Sequence, residues 1–354
     1  MKRYLPLLAL LAVVIFVQLL TGWTATGFYL TQLTMSAYYS LVIIGLCLLM
    51  GYAGQISLGH AGFFAIGGYL SAILTTHNLA PVKDQTLVML LAKAGCLIAS
   101  KDEYGAELLV AQPWAACLLA VAAATLVAFI IGGPVLKLKG HYLAMATLGF
   151  GTIIYRLVLA TRLCGEADGI SSVPPFQLLP GLTVSGGFDD RISNYYIGWG
   201  LVLLFMVLLI NLVHSRAGRA LRAIHGAEDA ANAMGINTAR FKLTIFVLSA
   251  AVAALAGVFL THYNGGIGPS EAGIMKSVRY VAIVAVGGMA SIWGALIMGS
   301  LLNFLSMRGV FGTYDDAVFG AILIIIMLFA PEGLLRLQLW PRLKEMKKSW
   351  GGDK

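Results

Sequence analysis

Three polar side chains, Gln55, Ser57 and His60, stand in the otherwise apolar run GYAGQISLGHAGFFAIGGYLSAIL, residues 51–74. In an apolar surrounding an amide, a hydroxyl or an imidazole without a hydrogen-bond partner is costly. These groups are therefore satisfied in one of two ways: by water and solute in a translocation path, or by neighbouring helices. Ser57, Ala61 and Ala65 fall at i, i+4 and i+8, a small-residue stripe that lets another helix come close. Gly51 and Gly54 mark a break just before it. Catalytic patterns are missing. The sequence contains no G-x-x-x-x-G-K-[ST], G-x-S-x-G or H-E-x-x-H, and no His/Cys/Asp/Glu group with metal-ligand spacing. No cofactor or metal is expected, and any ATP used must be handled by a partner. The carboxylates lie at the ends of the apolar segments or between them, which argues against a carrier driven by intramembrane proton exchange. Cys47 and Cys117 fall in apolar segments. Cys96 and Cys164 both belong to outer loops, where a disulfide is chemically allowed, but no framework spacing favours one over free thiols.

The second constellation is SRAGRALRAIHGAEDAANAMGINTARFK, residues 215–242, a polar interruption between apolar runs. Leu221, Ile224, Ala231 and Met234 recur near helical period, with Arg219, Arg222, Glu228, Asp229 and Asn232 on the remaining surface. A short amphipathic helix follows, capped by Ser215 and ended by Gly235. Arg216 and Arg219 lie in its first turn, where the helix dipole opposes them, so an anionic membrane surface or a protein partner is needed to favour them there. Ala230 and Ala231 are small enough to let a partner approach closely. The plain alternative is an amphipathic connector between two spans.

The elements that hold these residues follow from composition. Of 354 residues 59% are hydrophobic and 11% charged, and the mean hydropathy is +0.86. No soluble core uses so much apolar sequence; the fold class is an all-α polytopic membrane protein, one transmembrane domain over 1–354. Apolar segments run from about 5–20, 33–50, 55–75, 113–133, 142–160, 195–213, 243–262, 277–289, 291–306 and 314–330, about ten crossings or re-entrant helices. The pair 277–289 and 291–306 is short for full crossings and is split by Gly287-Gly288 and Gly294, as expected of a re-entrant or broken pair. With the break at Gly51–Gly54 it hints at a parallel internal duplication.

Forty-one glycines suit close-packed membrane helices. The net charge of +8 comes from basic residues in short loops and reads as a topology signal, not as a nucleic-acid surface. Placing both termini and 215–242 in the cytoplasm puts about fifteen Lys and Arg inside and about eight outside. Lys2 and Arg3 before Leu5–Leu20 then begin an uncleaved first helix. Residues 76–112 form an extracytoplasmic insert and 335–354 a basic cytoplasmic tail.

The stretch GYAGQISLGHAGFFAIGGYL resembles the signature of branched-chain amino-acid ABC importer permeases. LKGHYLAMATLGFG (138–151), GRALRAIHGAEDAANAMGINTARFKLTIFVLSAAVAALAG (218–257) and FAPEGL (329–334) are similar to later signatures of that family in order and spacing. The resemblance covers most of the chain and is nearer the LivM type of subunit than LivH. Asp229-Ala230-Ala231-x-x-x-Gly235 resembles the family's EAA loop with Asp in place of Glu, a short cytoplasmic helix that docks on the ATPase. The resemblance implies a permease subunit with a second homologous permease, two cytoplasmic ABC ATPases and a periplasmic binding protein as partners, in the bacterial inner membrane and surrounded by lipid. It also implies ATPase coupling through Arg219, Arg222, Asp229, Ala230, Ala231 and Gly235, and a path lining around Gly51, Gly54, Gln55, Ser57, His60 and Ala61. Three segments depart from the family pattern: the 76–112 insert, CGEADGI (164–170), and Lys276 with Arg279 just before a span. These outward-facing differences leave open a permease of the same architecture for urea, amides or aromatic acids. A stand-alone carrier or channel is the remaining class.

Overall fold

The computed structural model describes residues 4–24, 26–78, 97–101, 107–138, 140–310 and 312–329. Over these residues the chain forms helices α1 (Leu5–Trp23), α2 (Phe28–Ala53), α3 (His60–Thr76), α4 (Pro113–Val135), α5 (His141–Ala160), α6 (Arg191–His214), α7 (Arg216–Gly226), α8 (Glu228–Ala233), α9 (Thr238–Asn264), α10 (Ile274–Gly287), α11 (Ile292–Met307) and α12 (Asp315–Phe329). Six of them, α1, α2, α4, α5, α6 and α9, are long and apolar enough to cross a bilayer. Every apolar segment of the sequence is helical over most of its length. Three short antiparallel pairs join them: β1 (Leu97–Lys101) with β2 (Glu107–Ala111), β3 (Ile170–Ser171) with β6 (Gly266–Ile267), and β4 (Phe176–Leu179) with β5 (Leu182–Val184). The all-α expectation therefore needs correcting at one end of the bundle only, where the loops pair as strands.

Helix ends are set by local chemistry. Gly54 takes a left-handed φ of 68° and stops α2, Gly265 does the same for α9 at 64°, Asn237 accepts from the Arg240 N–H at the start of α9, and Ser291 from Gly294 at the start of α11. The centre of the bundle is α2 and α9. α3 and α4 pack on α9, α11 and α6 pack on α2, and α1 sits outside against α6. α3 and α9 come together through small residues: a Cβ on Gly67 would overlap Ala254, and one on Gly257 the Phe64 carbonyl.

Three local expectations change. The segment expected to begin at Gln55 begins as a helix only at His60; residues 54–59 are irregular, so Ser57 is not on the Ala61–Ala65 stripe. The amphipathic helix expected from Ser215 to Gly235 is two helices, α7 and α8, separated at Ala227, whose φ of −159° and ψ of 101° are extended. Ser215 does cap it, accepting from the Gly218 N–H at 3.4 Å, and Gly235 has φ 83°. Met234, placed on the apolar stripe by period, is 84% exposed just past the end of α8, whereas Leu221, Ile224 and Ala231 of the same stripe are buried. The short pair is α10 and α11, 14 and 16 residues, packed on each other across residues 288–291. The TLVMLLAKAG core of the insert and the 335–354 tail lie outside the described residues.

Candidate functional site

The two constellations singled out in the sequence meet at one end of the bundle. A Cβ on Gly51 would overlap the Met289 carbonyl, the Cys47 thiol donates to that carbonyl at 3.3 Å, and the Tyr52 hydroxyl donates to the Ala290 carbonyl at 3.0 Å. The break after α2 and the break between α10 and α11 are thus one structure. At the same place a Cβ on Gly54 would come 2.8 Å from His225 Nδ1, which ties the irregular 54–59 segment to the end of α7.

Gln55, Ser57, His60 and Ala61 are all buried. His60 is bonded through both ring nitrogens, Nδ1 to Ser57 Oγ at 3.1 Å and Nε2 to Ser249 Oγ on α9 at 2.9 Å. The Leu58 N–H donates to Thr147 Oγ1 on α5, and the Ala61 N–H to Ser277 Oγ on α10. Of the two ways to satisfy these polar groups, the structure shows bonding to a neighbouring helix for His60, through Ser249, while Ser57 is paired with His60 itself. The Gln55 amide is the exception, buried with neither Nε2 nor Oε1 hydrogen-bonded. The 54–61 segment works as a hub that touches α5, α7, α9 and α10.

α7 and α8 lie across the bundle end. Gly218, Leu221 and Ile224 of α7 pack inward, and a Cβ on Gly218 would overlap the Val213 carbonyl at the end of α6. Arg219 and Arg222 point outward. On α8, Asp229 and Ala230 are exposed, as are Met234 and Gly235 beyond it, whereas Ala231 is 4% exposed and packs into the chain's own fold. Glu228 anchors α8 to the bundle: its Oε2 lies 2.5 Å from Lys242 Nζ, and the Thr238 hydroxyl sits 3.3 Å from its Oε1 and 3.0 Å from Asn232 Oδ1. Lys242 is buried, so this ion pair does what a surface pair does not: it fixes an otherwise six-residue helix to α9.

Lys276 and Arg279, the charges that stand just before a span in the sequence, are both partly buried and ion-paired. After α9 the chain folds back through β6 and a 3-10 turn, Pro269–Ala272, which packs between α3 and α5. Glu271 Oε1 accepts from the Tyr39 hydroxyl at 2.9 Å and from Lys276 Nζ at 3.0 Å. Tyr39 lies 11 residues into α2 (39 − 28), about 16 Å below the helix start at 1.5 Å per residue. A carboxylate therefore does reach the interior. Arg279 donates to Ser306 Oγ at 3.1 Å and to Asp315 Oδ2 at 3.3 Å, and stacks 4.3 Å from the Phe319 ring centroid. The available signal was Glu271 and Lys276 flanking Gly273, an ionic pair with a turn between its members and apolar sequence on both sides.

Cys164, beyond the far end of α5, is free and half-buried, and burial pushes its thiol pKa up. Cys47 and Cys117 are buried free thiols; Cys96 lies outside the described residues. Among the described residues no group of three or more His, Cys, Asp or Glu could hold a metal ion.

Residues 28–327 match the family described as branched-chain amino acid transport system / permease component. The high-affinity branched-chain amino acid transport system permease protein LivM of Salmonella typhimurium is 32% identical over 88% of this chain and 70% of its own length. The corresponding BraD of Pseudomonas aeruginosa is 28% identical, over 87% of this chain and 95% of its own, and LivH of Escherichia coli 29%, over 85% and 92%. No solved structure matches the chain.

Proposed function

Since the chain belongs to the family of branched-chain amino acid transport permease components, and its similarity to LivM covers most of it, we propose that it carries branched-chain or related amino acids across the inner membrane, with its termini and α7–α8 in the cytoplasm. It is a permease subunit of an ABC importer and not an enzyme. The partners are a second homologous permease, two ATPases and a periplasmic binding protein.

The observation that carries the coupling part of this reading is the contact between His225 at the end of α7 and Gly54. Closure of the ATPases on ATP would push on the exposed face bearing Arg219, Arg222, Asp229, Ala230 and Gly235. The push would pass through α7 to the 54–59 segment, and from there to α9 and α10 through Ser249 and Ser277. Packed interfaces of this kind rearrange in discrete steps, which suits alternating access. Gly51, Gly54, Gln55, Ser57, His60 and Ala61 then act as the hinge of the path more than as its wall. The Glu228–Lys242 pair supports the same role, because a helix that transmits force must be fixed at its base.

The test is reconstitution in proteoliposomes with the ATPases, the second permease and the binding protein. Leucine uptake that needs ATP and the binding protein is the expected result. Uptake of leucine, urea or an aromatic acid by the chain without ATPase subunits would overturn the reading, and so would micromolar nucleotide binding by the chain alone.

A further inference from the structure

The Glu271–Lys276 pair is only half satisfied. Among the described residues, Oε1 of Glu271 accepts two hydrogen bonds while its Oε2, out of contact with solvent, accepts none. Two further phenols, Tyr280 and Tyr69, are buried with hydroxyls that have no partner among the described residues. Tyr280 is one helical turn on from Lys276, with its ring centroid 6.3 Å from that of Tyr39, and Tyr69 belongs to the same buried cluster as Ala272, the neighbour of Glu271. Lys276 Nζ uses two donors, on Glu271 and Tyr39, and lies 4.5 Å from the Tyr39 ring centroid.

A structural ion pair is expected to close its hydrogen bonds, because each open valence in a low-dielectric interior is a penalty. Here a carboxylate oxygen, two phenols and an ammonium with a donor to spare are collected between α2, α3 and α10. The lysine and glutamate side chains retain 26% and 18% exposure. We propose that Tyr39, Tyr69, Glu271, Lys276 and Tyr280 form a binding site for the zwitterionic end of an α-amino acid on its way through the permease. The ammonium of the solute pairs with Glu271 Oε2, and its carboxylate accepts from Lys276 and the phenols of Tyr280 and Tyr69. The apolar side chain is left to the surrounding aliphatic residues, which suits leucine-like solutes. This assignment rests on the amino-acid substrate proposed above.

The complete importer in proteoliposomes, with L-leucine as the probe, tests it. Tyr280→Phe removes only a hydroxyl that has no partner among the described residues, so a packing role predicts no loss. A binding role predicts leucine uptake reduced about tenfold, the effect of one hydrogen bond to a charged group. The exchange Glu271→Lys with Lys276→Glu keeps an ion pair but reverses its polarity, and uptake is expected to stay lost. Wild-type uptake by Tyr280→Phe, or restoration by the exchange of uptake lost in Glu271→Gln, would overturn the site. A wild-type importer that takes up no leucine would instead refute the substrate reading itself, and this proposal with it.

Discussion

Ala230 and Ala231 are adjacent, alike and opposed in orientation, and that makes them the sharpest test of α8 as a coupling element. Ala231 is 4% exposed within this chain and its N–H is bonded to the Ala227 carbonyl. An arginine there overfills a packed site, at about 1–3 kcal/mol for the volume alone, and buries a charge besides, so Ala231→Arg detaches α8 whatever its function. Ala230 is exposed. Ala230→Arg should change the stability of the isolated permease by no more than about 0.5 kcal/mol. If that face seats in a groove of an ATPase, the same substitution holds the surfaces apart and buries an unpaired charge, at about 2–5 kcal/mol. At the lower bound, association weakens about 30-fold. The assay is pull-down of the ATPase subunits with the tagged permease, together with ATP hydrolysis stimulated by substrate-loaded binding protein. Ala230→Arg is expected to purify as a folded permease that retains little ATPase and shows no stimulation. Full stimulation and transport by Ala230→Arg would refute the reasoning, because this exposed small residue of α8 would then face only water or lipid headgroups.

Glu228→Ala leaves Lys242 buried without its partner and should lower stability by about 2 kcal/mol, discounted from the fully buried case because Glu228 is partly exposed; Glu228→Ala with Lys242→Met should recover much of it, read by thermal unfolding in detergent. Gly51→Ala places a methyl group on the Met289 carbonyl and should cost about 1–3 kcal/mol and disturb transport, whereas Gly149→Ala, with open space around it, should do neither. Cys164, whose thiol pKa is raised by burial, holds less thiolate at neutral pH than a free cysteine, so its alkylation by an impermeant reagent should be slow at pH 7 and rise with pH up to and beyond the ordinary thiol range. In intact cells that labelling is expected from outside and labelling of His225→Cys only after permeabilisation; the reverse pattern would invert the topology.

How much of this was legible beforehand varies with the kind of information each feature uses. Ser215 and Gly235, Gly54 and the 288–291 link are local matters of capping and left-handed φ, and composition and order place them correctly. The helices themselves follow from apolar length. The extent of 54–59 is not legible because nothing in GQISLG forbids a helix; hydroxyls of three other elements, Thr147 of α5, Ser249 of α9 and Ser277 of α10, hold Leu58, His60 and Ala61 in place. The pairing of Glu271 and Lys276 with Tyr39 is not legible in the sequence, because only the fold-back after α9 brings these residues to α2.

What the sequence determines by itself is therefore the class, the family signatures, the run of helices and the two breaks between them, since each depends on residues close together in the chain. Which faces are inside was decided only by the tertiary structure. In a soluble protein the apolar stripe would have told them apart, but in a membrane both the lipid side and the core side are apolar. α2 is buried over 89% of its most apolar window and α5 over 28%, although both qualify as spans. Met234 shows the same limit at the polar end of the bundle, where it is exposed although Ala231 of the same apolar stripe is buried. The meeting of Gly51 with Met289, of Gly54 with His225 and of Glu271 with Tyr39 joins residues far apart in the chain. No spacing encodes such contacts; they exist because helices packed through small residues bring their breaks to a common level.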